Sequence, residues 1–307
     1  MQYSGKRRET KSFTIGDVGI GSAYPVSIQS MTNTDTRDAQ ATLVQIRQLA
    51  DAGCQMVRVA VPDEEAANAL KQICAESPVP VIADIHFNHR LALMAMDNGI
   101  SSLRINPGNI GSEEKVREVV SQAKAMQVPI RIGVNAGSLE KELLAKYQHP
   151  TAEAMVESAM RHVRILEDLN FDQIKISLKA SDVPLMLDAY RLMAEKVEYP
   201  LHLGVTEAGN AKHGIVKSAI GIGTLLAEGI GDTIRVSLTG NPLQEIPVAK
   251  QILRSLDLYP KGVEIISCPT CSRCTIDVFS TAKRLEEALK ELNYVKENWG
   301  EEKIFMI

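Results

Sequence analysis

The sequence predicts an eight-stranded parallel α/β barrel followed by the start of a second, small α+β domain. Three observations predict it. Short apolar, β-rich runs alternate with helical segments from residue 25 to about 256. Eight strand-and-helix pairs can be counted, the number that closes a barrel. The Gly-x-Gly-x-x-Gly turn that would mark an open doubly wound sheet is absent after the first strand, and Gly221 and Gly223 lie inside a helical stretch without completing it.

The elements follow in order. Ser12–Gly21 alternates with Gly punctuation and reads as a hairpin that plugs one end of the barrel. Strands are expected at Pro25–Met31, Met56–Val61, Val79–Phe87, Ser102–Pro107, Pro129–Asn135, Gln173–Lys179, Leu201–Glu207 and Thr233–Leu238. Helical composition fills Ala39–Ala52, Glu64–Ala75, Arg90–Asn98, Glu113–Met126, Ala152–Leu169, Pro184–Lys196, Ile215–Glu228 and Pro242–Leu256. Gly53, Gly99 and Gly229 stand where helices should end. The insertion Gly137–Pro150 is longer than its counterparts and reads as a lid. After Gly262 the pattern changes. A strand at Val263–Ser267 leads into Cys268-Pro-Thr-Cys-Ser-Arg-Cys274, and a charged helix follows near Ser280–Leu292. The expected domains are therefore residues 1–261, the barrel, and 262–307, part of a second domain.

Composition narrows the function. A net charge of −4 argues against a nucleic-acid binder. No run of eighteen apolar residues suggests a membrane span. The N-terminus lacks the apolar stretch of a secretory signal, so the expected compartment is the cytosol. The run Lys6-Arg7-Arg8 is expected on a solvated surface. Cys54 and Cys74 read as small buried hydrophobes. The three thiols Cys268, Cys271 and Cys274 lie within seven residues and read as metal or redox chemistry. Their spacing suits zinc or an iron–sulfur cluster and does not choose between them.

Strand parity locates a second site. Successive side chains of a strand point to opposite faces. Arg58, Arg104, Asn106, Arg131, Asn135, Lys175, Ser177, Lys179, Arg235 and Ser237 each stand opposite an aliphatic face that must pack on helices. Asp84 and His86 share one parity of the third strand, and the seventh ends in Glu207. The polar face must then point into the barrel, where six cations stand against Asp84 and Glu207. Burying unpaired charge costs several kcal/mol per ion, so a ligand is expected to supply the missing negative charge. A diphosphate meets that demand, and Arg offers it bidentate hydrogen bonds. His86 reads either as a hydrogen-bond donor to the substrate or as a satisfied core histidine. Glu207 reads as a proton donor or as the partner of a nearby Arg.

Five strings then carry a resemblance: Ser27–Thr34, Ala83–Phe87, Leu103–Ile110, Arg131–Ser138 and Cys268–Arg273. In this order they closely resemble the bacterial 4-hydroxy-3-methylbut-2-enyl diphosphate synthase (IspG) family, from about residue 7 to about residue 284. The resemblance implies reductive ring opening and dehydroxylation of 2-C-methyl-D-erythritol 2,4-cyclodiphosphate in the non-mevalonate isoprenoid pathway. It implies a [4Fe-4S] cluster fed by flavodoxin or ferredoxin, and a homodimer in which one subunit's cluster domain covers the other's barrel mouth. Cys268 and Cys271 match two of the family's cluster ligands. The family's third cysteine and its carboxylate ligand lie in a Cys-Val-x-Asn-Gly-Pro-Gly-Glu segment that the sequence does not contain. A truncated form is therefore expected, with Cys274 as the alternative third ligand. Two competing readings stay open. One is a pterin-binding barrel of the dihydropteroate synthase type, which would not need Cys268 and Cys271. The other is a truncated diphosphate-binding barrel without turnover.

Overall fold

A computed structural model describes residues 6–106, 110, 112–260, 263–291 and 303–306. The chain divides into two compact units, Ser4–Ile252 and one that begins at Leu253.

The first unit opens with an antiparallel hairpin of β1 (Phe13–Ile15) and β2 (Val18–Ile20). Eight parallel strands follow: β3 (Ser27–Met31), β4 (Met56–Ala60), β5 (Val81–Asp84), β6 (Ser102–Ile105), β7 (Ile130–Asn135), β8 (Ile174–Lys179), β9 (His202–Leu203) and β10 (Thr233–Ile234). Their order is β8-β7-β6-β5-β4-β3-β10-β9. The ring closes between β8 and β9. Ile176 bridges Leu201 in parallel, and its amide donates to Pro200 at 2.9 Å. The expected barrel is thus the observed one.

The outer layer holds α1 (Ala39–Asp51), α2 (Glu64–Glu76), α3 (His89–Asp97), α4 (Glu113–Ala125), α5 (Lys141–Tyr147), α6 (Ala152–Asp168), α7 (Val183–Lys196), α8 (Ala211–Ala227) and α9 (Glu245–Arg254). Several start at side-chain caps. Asp38, Asp63, Thr151 and Asp182 each accept from an amide in the first turn, which satisfies a donor the helix leaves free. Among the described residues no helix is long and apolar enough to cross a membrane.

The hairpin packs Ile15 and Ile20 on Met56 and Ile82, at the lower end of the barrel, as its alternation predicts. Two expectations change. The Lys6-Arg7-Arg8 run is not a solvated surface. Lys6 is exposed, but Arg7 pairs with the buried Asp232 at 3.0 Å, and Arg8 donates to the carbonyls of Val197 and Tyr199. These arginines satisfy acceptors left at the lower end of the barrel. The Gly137–Pro150 insertion, expected as a lid, forms α5 and is held on α6. Glu140 accepts from Ser158 Oγ at 3.0 Å, and Lys146 and Tyr147 both reach Glu157.

The strand registers set the interior. Thr233 pairs with Ser27 and His202, Arg131 with Lys175 and Arg104, and Ile82 with Arg58 and Ser102. With strands tilted as in barrels of this class, each level receives side chains from alternate strands. From the bottom, the levels are Met56, Ser102, Lys175 and Thr233; then Gln29, Ile82, Arg131 and His202; then Arg58, Arg104, Ser177 and Arg235. Above these come Met31, Asp84, Gly133 and Gly204; then Ala60, Asn106, Lys179 and Ser237. His86, Asn135 and Thr206 reach the mouth.

In the second unit, β11 (Val263–Ile266) pairs in parallel with β12 (Lys303–Met306), and α10 (Val278–Glu291) lies between them in sequence.

Candidate functional site

The interior levels explain why a cavity exists. Barrels of this class are ordinarily filled by branched apolar side chains. Here the fourth level contains two glycines. A Cβ on Gly133 would lie 2.7 Å from Arg104 Nε, and one on Gly204 would lie 2.6 Å from the Arg235 carbonyl and 2.9 Å from Lys179 Nζ. Their missing side chains leave room for the long cations of neighbouring levels. The result is a cavity of about 170 Å³ lined by Arg58, Asp84, His86, Arg104, Arg131, Asn135, Ser177, Lys179, Thr206, Arg235 and Ser237.

All of these except Thr206 are expected from strand parity or, for Asp84 and His86, from the third strand. Three expected residues lie elsewhere. Lys175 is buried on the lowest level, beneath Arg131. Asn106 is half-buried on the level of Lys179, with its Oδ1 unpartnered. Glu207 is exposed and adopts a left-handed φ of 52°. Thr206, just before it in the bend that follows β9, lines the cavity instead.

Carboxylates are scarce. Asp84 lies 3.1 Å from Arg104 and 3.5 Å from Arg58, and His86 Nε2 lies 3.6 Å from it. Burial alone would raise the Asp84 pKa. Arg58, the His86 hydrogen bond, Arg104 and Arg131 outweigh burial and hold it well below the usual carboxylate range. The second acid is Glu245, at the start of α9, rather than Glu207. Glu245 is buried, accepts from Ser30 Oγ at 2.9 Å and lies 3.5 Å from Arg235 Nε. Among the described residues, the five cations that line the cavity therefore face Asp84 within it and Glu245 beside Arg235.

The cations that remain are poorly held. Arg58 directs Nε and Nη2 at the Met31 sulfur, at 3.2 and 2.9 Å, and Arg235 approaches the same sulfur at 3.6 Å. A thioether is a weak acceptor. Arg131 reaches only Ser177 Oγ, at 3.5 Å, and its Nε has no partner. Burial, with Arg235 and Arg104 nearby, overrides the help of Asp84 and pushes Arg58 down to about 10. Burial, then Arg58 and Arg104, lower Arg131 also. A guanidinium starts high enough to keep its proton at neutral pH. Lys179 is lowered by burial and by Arg131, Arg235, Arg58 and Arg104. A ligand carrying several anionic oxygens would relieve each of these strains at once.

The cysteines form a different kind of site. Cys268 and Cys271 are exposed, and Cys274 is half-buried with its Sγ 3.2 Å from the Ile276 carbonyl. The backbone and side chain of Arg273 lower the Cys271 thiol. Among the described residues no group of three or more metal-ligating side chains converges. The segment supplies two accessible thiols and so fits part of the donor set of an iron–sulfur cluster.

Comparison with known proteins places the chain. Residues 10–250 match the GcpE TIM-barrel domain family. The 4-hydroxy-3-methylbut-2-en-1-yl diphosphate synthase (flavodoxin) of Geobacter sulfurreducens is 60% identical over 283 residues, covering 92% of this chain and 80% of that one. Its namesake from Clostridium perfringens is 58% identical over 283 residues, covering 92% and 81%. Among solved structures, the 3-dehydroquinate dehydratase of Geobacillus kaustophilus aligns with a TM-score of 0.59 at 15% identity, over 82% of this chain and 99% of that one. A dihydropteroate synthase of Xanthomonas albilineans aligns with 0.55 at 11%, over 80% and 98%. These two likenesses show the fold alone. The chain belongs to the GcpE family, which the 4-hydroxy-3-methylbut-2-en-1-yl diphosphate synthases share.

Proposed function

We propose that this chain binds 2-C-methyl-D-erythritol 2,4-cyclodiphosphate in the barrel and takes part in its reductive ring opening and dehydroxylation to 4-hydroxy-3-methylbut-2-enyl diphosphate, in the non-mevalonate route to isoprenoids. The observation that carries the reading is the cavity lined by five cations, Arg58, Arg104, Arg131, Lys179 and Arg235, against the single carboxylate Asp84, in a chain of this family. The reaction removes one oxygen as water and consumes two electrons and two protons. Arg58, Arg104, Arg131, Lys179 and Arg235 hold the diphosphate, with Asn106, Asn135, Ser177 and Ser237 adding neutral hydrogen bonds and Lys175 adding charge from below. Asp84 and His86 fix the Arg104 guanidinium, which lies 3.1 Å from each. Glu207 is the candidate proton donor at the mouth.

Residues 1–261 form the substrate-binding domain, and 262–307 belong to the cluster-bearing domain. Cys268 and Cys271 would hold two irons of a [4Fe-4S] cluster, with Cys274 as the alternative third thiolate. When bound, the cluster supplies electrons to the substrate. The protein works as a cytosolic homodimer that takes electrons from flavodoxin or ferredoxin. Flavodoxin is the donor in the names of the relatives above.

The test is a titration of the cyclic diphosphate into the full chain, beside an anaerobic activity assay with a reduced donor and iron counting after reconstitution. Binding with turnover supports the full reading. Binding without turnover assigns this chain the substrate-binding half only. Absence of binding removes the reading altogether.

A further inference from the structure

Immediately below the cavity floor, the barrel holds a cation with no counterion of its own. Lys175 is 1% exposed, and its Nζ has no hydrogen-bond partner within the protein. Arg131, its register partner on β7, is 2% exposed and forms the floor of the cavity. On the level of Arg131, His202 bonds Thr233 through Nδ1 at 2.7 Å and leaves Nε2 without a partner. The other strands bring no acid to Lys175's level: β4 supplies Met56, β6 supplies Ser102 and β10 supplies Thr233. Ser102 already donates to the Pro129 carbonyl at 2.8 Å. The carboxylate that attracts Lys175 is Asp232, which Arg7, Thr10 and the Leu201 amide already engage.

Two adjacent buried cations without an acid between them are costly, and only one can escape the cost. A guanidinium keeps its proton, whereas a buried ammonium sheds one readily. Burial and the charge of Arg131 both lower Lys175, with Asp232 alone opposing them. Burial, then the nearby positive charge of Lys179, Arg131 and Arg58, keep His202 neutral. An anion seated on Arg131 reverses the balance, because its charge reaches Lys175 through the same low-dielectric interior.

We propose that Lys175 is a charge-compensating residue, unprotonated in the free chain, which takes up a proton when an anion fills the cavity above Arg131. This rests on the reading of that cavity as a diphosphate site. It goes beyond that reading by coupling binding to proton uptake at a residue the ligand does not touch. Because a proton is gained on binding, affinity falls as pH rises, by about tenfold per pH unit for each proton gained.

The test is calorimetric titration of inorganic pyrophosphate into the full chain, in buffers of different ionisation enthalpy near neutral pH. The same titration is made with Lys175→Met, which keeps the shape of the side chain, so the probe's own protonation cancels between the two. The variant should melt at or above the unmodified chain, take up about one proton fewer, and lose the matching part of the pH dependence. In the unmodified chain, NMR of lysines carrying ¹³C at Cε should show a buried amine, missing from the spectrum of Lys175→Met, change from uncharged to charged on adding pyrophosphate. Binding with the same proton uptake in both proteins, or no such amine, overturns the proposal alone. Absence of pyrophosphate binding overturns the reading of the cavity and this inference with it.

Discussion

The barrel interior and the cysteine segment represent two ways of preparing a binding site. In the barrel, rigid strands fix the cations before any ligand arrives. The surrounding fold meets the cost of holding Arg131 and Lys179 buried, and the glycines at 133 and 204 keep the space clear. In the cysteine segment, Cys268 and Cys271 are exposed, with no third ligand gathered beside them among the described residues. The first site is preorganised and strained. The second would gain its order from the group it binds, as metal sites commonly do. It follows that substitutions in the first should change the stability of the free chain, whereas those in the second should change only its loading.

The largest expected effect is at Asp84. Asp84→Asn keeps the shape but leaves Arg58 and Arg104 without their shared carboxylate. Loss of one partner from a buried ion pair costs about 3–5 kcal/mol. Denaturant unfolding should show that loss, and added pyrophosphate should restore part of it. The pH dependence has a definite sign. The folded pKa of Asp84 lies below its unfolded value, so its contribution is complete at neutral pH and is lost as pH falls through the acid range. The variant should lack that component of acid unfolding.

Next come the arginines. Arg58→Ala, Arg104→Ala or Arg235→Ala should each weaken diphosphate binding by about 1–3 kcal/mol, the scale of a lost charged hydrogen bond. Unchanged affinity in all three would show that the cationic interior is not the diphosphate site. Gly204→Ala sharpens the same point without removing a charged side chain. The added methyl meets the Arg235 carbonyl and Lys179 Nζ. Overpacking of this kind costs about 1–3 kcal/mol of stability, and thermal melting with a parallel titration should show both properties fall. The smallest effect on stability is expected at the other site. Cys268→Ser with Cys271→Ser should leave stability within about 0.5 kcal/mol, because both side chains are exposed. Iron retained after anaerobic reconstitution should drop sharply. A large loss of stability in this variant would erase the contrast between the two sites.

Much of the barrel was legible because parity is a local property. Alternation of cations with aliphatics in Arg131–Asn135 and Ile174–Lys179 is visible in a single strand and says which face is which. Glu207, expected beside Asp84 as one of two acids facing the cations, lies exposed in the bend that follows β9, where strand alternation has ended. Lys175 had the right parity but the wrong level. Level depends on strand tilt and register, which one strand's sequence does not contain. Glu245 was missed for a related reason. It approaches Arg235 from the start of a helix, and pairing between elements leaves no periodic signal. His202 shares the parity of Thr206, so its place in the interior was available from the strand, hidden by its apolar neighbours. The lid expectation at Gly137–Pro150 rested on length alone, whereas Glu140 and Glu157 decided where that segment sits.

The most direct measurement is the thermal stability of the full chain with and without the cyclic diphosphate. A preorganised cationic cavity predicts a melting temperature that rises with ligand concentration, by a margin that shrinks in high salt and in Arg58→Ala. A melting temperature that does not move with ligand would contradict it.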